Sequence, residues 1–185
     1  MPARSSAIKE TANLRKIIYF VTASLDGFVA RADGRIDWLI QPEGNEDFGF
    51  AAFLASIDTV VQGRKTYEQV LTFGPYPYAD RKNYVFSRKL LQTQHAEVVR
   101  QPVPDFVRWL RQQPGRDIWL VGGGELAAAF FQARAVDQVK VFVQPIVLGE
   151  GLPLVKDIGH DIRLQLTHTQ AYRQGLVQMD YDVRY

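Results

Sequence analysis

Three consecutive glycines, Gly122, Gly123 and Gly124, separate an apolar run typical of a buried strand from a segment with helical character. Glycine has no Cβ and tolerates positive φ, so a ligand can approach this backbone closely. The free N–H groups at the start of the following helix, which begins near Glu125, can bind an anion such as a diphosphate. The pattern predicts either a phosphate-binding loop or a tight strand-to-helix turn without a ligand.

The same segment has the G-x-G-x-x-A spacing of dinucleotide-binding turns, through Gly122, Gly124 and Ala127. It lies late in the chain, however, and the next predicted strand runs into Gln144 instead of the acidic residue that binds ribose in a Rossmann domain. The spacing therefore favours phosphate binding without indicating a standard Rossmann fold.

Two further predicted strands end in hydroxyl and cationic side chains. Residues 63–66 read GRKT, and residues 87–89 read SRK. Arginine can bind a phosphate through two hydrogen bonds, and lysine adds a point charge. Either segment alone could be a solvated basic turn. Three anion-binding strand ends together indicate a phosphate-rich ligand, and the extra cations favour NADPH.

The elements that position these residues alternate between strand and helix in the first two thirds of the chain. The run KIIYFVTA at 16–23 is apolar on both faces, as expected of a central strand. A polar loop is expected over 24–44, and a helix is expected from an N-cap at Asn45, with Asp47 in its first turn. The other strands are predicted at 59–62, 83–87, 97–99, 118–121, 139–147, 163–169 and 177–185, and the other helices at 65–70, 104–112 and 125–133.

This order predicts an α/β fold with a mixed sheet covered by helices, in a single domain over 15–185 after a disordered leader over 1–14. The absence of cysteine excludes disulfides, thiolate catalysis and cysteine-based zinc sites. A net charge of only +2, spread along the sequence, gives no case for a nucleic-acid partner. No secretion signal or membrane-spanning run is visible, so a cytoplasmic protein without a membrane partner is expected.

The order of the motifs resembles the dihydrofolate reductase superfamily, and most closely the reductase domain of the bifunctional riboflavin-biosynthesis deaminase–reductases. The matching segments are SLDGFVA at 24–30, GRKTYE at 63–68, VFSR at 85–88, VGGGELA at 121–127 and VDQVKVFVQPIVLGEGLPLV at 136–155. The resemblance implies a three-layer fold with an eight-stranded, mostly parallel sheet, and a homodimer. It also implies NADPH-dependent reduction of a small pyrimidine-like or pteridine-like molecule.

The resemblance also assigns roles to residues at the strand ends. Arg64, Lys65 and Thr66 would bind the 2′-phosphate, Ser87 and Arg88 would lie near the adenosine, and Thr22 and Ala23 would lie beside the nicotinamide. The expected cofactor-binding residues are Thr22, Ala23, Gly63, Arg64, Lys65, Thr66, Ser87, Arg88, Gly122, Gly123, Gly124 and Glu125. Four aromatic residues could also cap a flat substrate: Trp38, Phe73, Tyr76 and Tyr78.

Two acidic residues are the candidates for catalysis. Asp47 matches the substrate-binding carboxylate of dihydrofolate reductases, and Asp26 lies in the loop expected to cover the nicotinamide. A buried, protonated Asp47 could donate a proton to a reduced C=N bond, whereas an ionised one could orient an amino-pyrimidine edge. A carboxylate at a helix start is also common simply because it interacts favourably with the helix dipole.

Two alternatives stay open at this point. The chain could be a dihydrofolate or pteridine reductase, or a module that binds NADPH without catalysis. His95-Ala96-Glu97 has the H-x-E spacing of zinc deaminases, but the cysteines that such a site needs are missing from the sequence. No metal site is expected.

Overall fold

The computed structural model describes residues 14–185, and the expectation of a disordered leader falls almost wholly outside them. The strands are β1 (Ile17–Ser24), β2 (Phe28–Ala30), β3 (Ile57–Gly63), β4 (Lys82–Phe86), β5 (Glu97–Val99), β6 (Asp117–Gly122), β7 (Gln138–Gln144), β8 (Leu152–Pro153), β9 (Arg163–Ala171) and β10 (Val177–Arg184). The helices are α1 (Phe50–Ser56), α2 (Arg64–Val70), α3 (Val103–Gln112) and α4 (Gly124–Gln132), and a 3-10 turn covers Leu71–Phe73. No helix among residues 14–185 is both long and apolar enough to cross a bilayer.

Eight strands form one sheet in the order β5-β4-β3-β6-β1-β7-β10-β9. The first six strands in this order, β5 through β7, are parallel to one another. Strand β10 runs antiparallel to both β7 and β9. This confirms the mixed, mostly parallel sheet. The continuous apolar run at 16–23 is explained by the central position of β1 between β6 and β7, since such a strand is covered on both faces.

Helices cover both faces of the sheet, which gives three layers. On one face, Ile17, Tyr19 and Val21 of β1 pack with residues of α3 and α4, including Phe106 and Phe130. On the other face, Ile18 packs with Phe53 of α1, Val60 and Trp119. A smaller cluster joins Tyr67 and Val70 of α2 to Val85. Alternate residues of β1 therefore contribute to two separate cores.

The region 24–57 differs most from the prediction. Its expected loop contains β2, which pairs with the two-residue strand β8, and strands this short have no recognisable periodicity. The helix begins at Phe50, so Asn45 is not its N-cap and Asp47 precedes its first turn. The reason is the left-handed backbone of Phe48 (φ 54°) and Gly49 (φ 74°), because residues with positive φ cannot be part of a right-handed helix and so prevent an earlier start.

The hairpin of β9 and β10 ends the sheet. Apolar residues alternate along β10, and Met179, Tyr181 and Val183 pack against the larger core. On the opposite face Asp180 is nearly buried and forms an ion pair with Lys140. All nine residues of β9 are exposed, including Leu166. The sheet therefore ends in a strand with little cover on either face.

Candidate functional site

A cleft of about 1780 Å³ opens at the edge of the sheet where β1, β3, β4 and β6 reach their carboxyl ends. Ligand pockets for small molecules are commonly about 300–1,000 Å³. The cleft is therefore large enough for a dinucleotide and a second molecule beside it. All three glycines, residues 63–66, and Ser87 and Arg88 line it.

The glycine loop needs its glycines for two different reasons. Gly122 and Gly123 have φ values of 126° and 87°, which other residues rarely adopt. The nearest heavy atom to a Cβ built on Gly123 is Thr66 Oγ1, at 3.6 Å, so space remains open in front of this backbone. A Cβ on Gly124 would instead collide with the carbonyl oxygen of Pro153. Gly124 is thus required by packing, while Gly122 and Gly123 shape a surface that faces the cleft.

The register of two strands brings the two cationic segments together. β3 and β4 are parallel neighbours, and Gly63 is paired with Phe86. The residues that follow each strand, Arg64 and Ser87, therefore start side by side at the cleft. Arg64 forms an ion pair of 2.7 Å with Glu68, both on α2. The Ser87 hydroxyl oxygen accepts the N–H groups of Lys89 (3.1 Å) and Leu90 (2.9 Å), which turns the chain at the cleft rim.

Thr22 and Ala23, the two residues predicted to lie beside the nicotinamide, have different surroundings at the end of β1. Thr22 lines the cleft, whereas the side chain of Ala23 is buried in the larger core and is absent from the cleft lining. The alternation of side chains along a strand explains this difference. Ala23 can therefore contribute only its backbone to a ligand.

Aromatic rings line the part of the cleft near α1. Trp119 Nε1 donates to the Phe20 carbonyl oxygen at 3.0 Å, and both rings pack against Phe50. Phe48 and Tyr78 complete this wall. Of the four aromatic residues singled out from the sequence, Phe73 and Tyr78 line the cleft, while Trp38 and Tyr76 do not. Phe20 and Trp119 could have been found as aromatic residues within the two buried strands β1 and β6.

Asp47 lies in the cleft lining, exposed, with its carboxylate bonded to backbone. Its two oxygens accept the N–H groups of Ala51 and Gly49, each at 2.9 Å. These hydrogen bonds, that from Ala51 foremost, lower the pKa of Asp47. The carboxylate is ionised at neutral pH, so the buried, protonated form that a proton donor requires is not present.

Asp26, the second catalytic candidate, is held by hydrogen bonds from three groups. Its carboxylate accepts the Ser24 hydroxyl (2.6 Å) and the N–H groups of Leu148 (3.0 Å) and Gly149 (2.7 Å), and it does not line the cleft. The Ser24 hydrogen bond, with the two backbone bonds, lowers the pKa of Asp26 to about 2. Asp26 ties the turn after β1 to the loop after β7, which gives this carboxylate a structural role. A part for Asp26 in catalysis stays a prediction.

The cleft also contains features that the sequence did not indicate. The turn from Ala32 to Asp37 borders it, and Gln69 Nε2 of α2 donates to the Gly34 carbonyl oxygen at 2.8 Å. Lys156 lies beside the glycine loop, one residue beyond the segment whose sequence matched the reductase family. His95, by contrast, stacks on Tyr76 at 4.8 Å between ring centres, and among residues 14–185 no group of three metal-binding side chains is brought together.

Comparisons with known proteins agree with this architecture. Residues 15–178 match the family model of the RibD C-terminal domain. The chain is 38% identical over 170 residues to the uncharacterized protein YwjB of Bacillus subtilis (strain 168), with 90% of this chain and 97% of YwjB covered. It is 33% identical over 180 residues to the uncharacterized protein YyaP of the same organism, with 90% and 94% covered.

Solved structures show the same fold. A protein of Shewanella sp. PV-4 assigned to riboflavin biosynthesis superposes with a TM-score of 0.84 at 25% identity, over 92% of this chain and 99% of that one. The bifunctional diaminohydroxyphosphoribosylaminopyrimidine deaminase/5-amino-6-(5-phosphoribosylamino)uracil reductase of Thermotoga maritima superposes with a TM-score of 0.70 at 15% identity, over 92% of this chain and 57% of that one. The chain belongs to the family of the RibD C-terminal domain.

Proposed function

We propose that this protein is an NADPH-dependent reductase of a small heterocyclic molecule, similar in chemistry to 5-amino-6-(5-phosphoribosylamino)uracil reductase. The supporting observation is that one continuous cleft joins a glycine loop and cationic strand ends to an aromatic wall. The first part suits a dinucleotide with an additional phosphate. The second part suits a flat ring, because aromatic side chains bury planar surfaces well.

The residues present fit NADPH. The exposed backbone of Gly123 has open space in front of it, as close approach of a diphosphate requires. Arg64, Lys65 and Thr66 on one side, with Ser87 and Arg88 next to them, offer cations and hydroxyl groups for the 2′-phosphate and adenosine. The cleft continues along Thr22 toward Phe20 and Trp119, where a nicotinamide and a substrate ring would lie.

When bound, NADPH supplies the hydride, and the protein supplies position and electrostatics. Phe20, Phe50 and Trp119 would hold the substrate ring and exclude water from one side of it. The ionised carboxylate of Asp47 would accept hydrogen bonds from amino or ring N–H groups and so orient that ring. Because Asp47 is ionised, the proton that balances the hydride would come from water and not from this carboxyl group.

Cofactor binding and turnover test this proposal separately. Purified protein is titrated with NADPH and NADH by cofactor fluorescence, and NADPH oxidation is then followed with the ribosylamino-uracil phosphate, dihydrofolate and dihydropteridines. Selective NADPH binding and oxidation with the uracil compound support the proposal. Oxidation only with a folate or pteridine would assign the chain to that reductase class, NADPH binding without any turnover would assign it to the non-catalytic modules, and no binding would reject the cofactor.

A further inference from the structure

We propose that Lys156 binds the diphosphate of the cofactor, and that it exchanges its partner Glu125 for the phosphates when the cofactor binds. The inference rests on the proposed function and adds to it a residue that the sequence motifs do not contain. It follows from the position of the Lys156 backbone beside the glycine loop and from the exposed, long ion pair between Lys156 and Glu125.

The backbone around Lys156 is fixed against the glycine loop. Its N–H donates to the Gly124 carbonyl oxygen at 3.3 Å. Upstream, the Leu154 N–H donates to the Gly27 carbonyl oxygen at 2.9 Å, and the Leu154 carbonyl oxygen accepts the Tyr19 hydroxyl at 2.7 Å. The contact between Gly124 and Pro153 joins the two segments directly. A charge at position 156 is thus placed at the loop by the hydrogen bond of its own backbone and by the contacts of two preceding residues, Pro153 and Leu154, that hold the segment.

Lys156 and α2 flank the loop from different sides. On the α2 side, Thr66 Oγ1 donates to the Gly122 carbonyl oxygen at 3.3 Å, which places Lys65 and Thr66 next to the first glycine. On the other side, Lys156 is bonded to the third glycine. An anion resting on Gly123 would lie between these two sides, within a cleft that all of these residues line.

The present partner of Lys156 is easily exchanged. Its Nζ lies 3.5 Å from Glu125 Oε1, and the two side chains are 49% and 80% exposed. Exposed pairs of this kind contribute little stability. Glu125, expected from the sequence to bind the cofactor, lies in the first turn of α4. Its carboxylate would repel a diphosphate at the same place, so only its backbone could contribute to binding. A diphosphate carries more negative charge than a carboxylate and would attract the ammonium group more strongly.

The test measures NADPH affinity by fluorescence titration for wild type, Lys156→Ala, Lys156→Arg, Glu125→Gln and the double variant. We expect Lys156→Ala to weaken binding about tenfold, as loss of a charge-assisted hydrogen bond does, and Lys156→Arg to keep most of the affinity. Glu125→Gln should strengthen binding a few-fold because it removes repulsion. Lys82→Ala, at an exposed position at the far end of β4, is the control for loss of a positive charge and should bind as wild type does.

The double variant separates phosphate binding from simple neutralisation of Glu125. If Lys156 contacts the phosphates, the double variant remains clearly weaker than Glu125→Gln alone. If Lys156 only neutralises Glu125, the two bind equally, and the inference is overturned. Competition by adenosine 2′-phosphate, which has no diphosphate, should be unchanged in Lys156→Ala and weakened in Arg64→Ala. A wild type that binds no NADPH rejects the proposed function itself, which is a different result from a neutral Lys156→Ala.

Discussion

The Thr66 hydroxyl donates a hydrogen bond of 3.3 Å to the Gly122 carbonyl oxygen, and so joins the start of α2 to the glycine loop. Two segments that lie more than fifty residues apart in the sequence thereby form one wall of the cleft. The proposed contacts to the 2′-phosphate and to the diphosphate therefore lie on one connected wall. Variants can still test the two contacts separately, because one kind of substitution removes a charge and the other fills space.

Arg64→Ala tests the contact with the 2′-phosphate. Loss of a charge-assisted hydrogen bond to a phosphate costs about 1.5–3 kcal/mol, which is roughly ten- to a hundredfold in affinity. NADPH binding should weaken by this amount while NADH binding stays nearly constant. Glu68→Gln is the control, since it removes the ion-pair partner of Arg64 and leaves the guanidinium in place. Equal weakening for both nucleotides would reject the assignment.

Gly123→Val tests the open surface of the loop. A β-branched residue is strained at φ 87° and fills the space that the diphosphate needs. We expect the variant to lose NADPH binding while circular dichroism shows a folded protein. Gly124→Ala should mainly lower the thermal midpoint, because its Cβ meets the Pro153 carbonyl oxygen. A folded Gly123→Val with wild-type affinity would mean that the turn is only structural.

Asp47→Asn tests the orienting carboxylate. The variant should lower turnover far more than NADPH affinity, which single-turnover rates and titrations would show. The lowered pKa of Asp47 also predicts a pH profile: its negative charge is complete above the ordinary value of 3.8 and is lost only below it. Turnover should therefore show no acid limb from this group near neutral pH. Wild-type rates in the variant would mean that Asp47 only accepts the backbone N–H groups at the start of α1.

Asp26→Asn concerns stability in acid. The pKa of Asp26 is lowered to about 2 in the folded protein from an ordinary 3.8, so its stabilising contribution is complete above 3.8 and disappears as the pH falls toward 2. The variant should have a lower thermal midpoint than wild type at neutral pH, and the difference should shrink through this acid range. NADPH affinity should change little. A constant difference across the acid range would show that the charge of Asp26 is not the stabilising feature.

For the quaternary structure, we propose a homodimer formed through the exposed face of β9 that carries Leu164 and Leu166. These side chains are 44% and 52% exposed on a strand with neighbours on one edge only. An edge strand with exposed leucine side chains offers both unpaired backbone groups and apolar surface to a second chain. Light scattering should give twice the chain mass of 21.0 kDa for wild type and one chain mass for Leu166→Asp. Leu91→Asp, at an 88% exposed position elsewhere, is the control. A monomeric wild type would contradict the proposal.

The sheet could be predicted well because its strands have strong local signals. Strand β1 is covered on both faces and is a continuous apolar run, whereas β10 alternates between apolar and polar residues. Each of these two patterns can be read directly from the sequence. The strand ends that carry glycines and cations were equally visible. Their convergence needed only the rule that parallel neighbours end at one edge, which the pairing of Gly63 with Phe86 illustrates.

The features that were missed depend on contacts distant in sequence. Asp26 is bonded to Leu148 and Gly149, more than a hundred residues away, and no local pattern indicates such a partner. Asp47 was expected inside a helix, but the left-handed backbone at Phe48 and Gly49 delays the helix start. Lys156 is held at the glycine loop by its own N–H bond to the Gly124 carbonyl oxygen and by the anchoring of Leu154. In each case the local residue type was compatible with several structures, and tertiary hydrogen bonds selected one.

The close contact of Gly124 with Pro153, together with the hydrogen bond from Leu154 to Gly27, has a dynamic consequence. The turn after β1, the strand β8 and the glycine loop are linked in series, so an outward movement of the turn would pull on the backbone of the proposed diphosphate site. Amide exchange at Leu154 and at Lys156 should accordingly proceed through a shared opening event, with similar protection. Release of a bound nucleotide and opening of the cleft would then be one kinetic step.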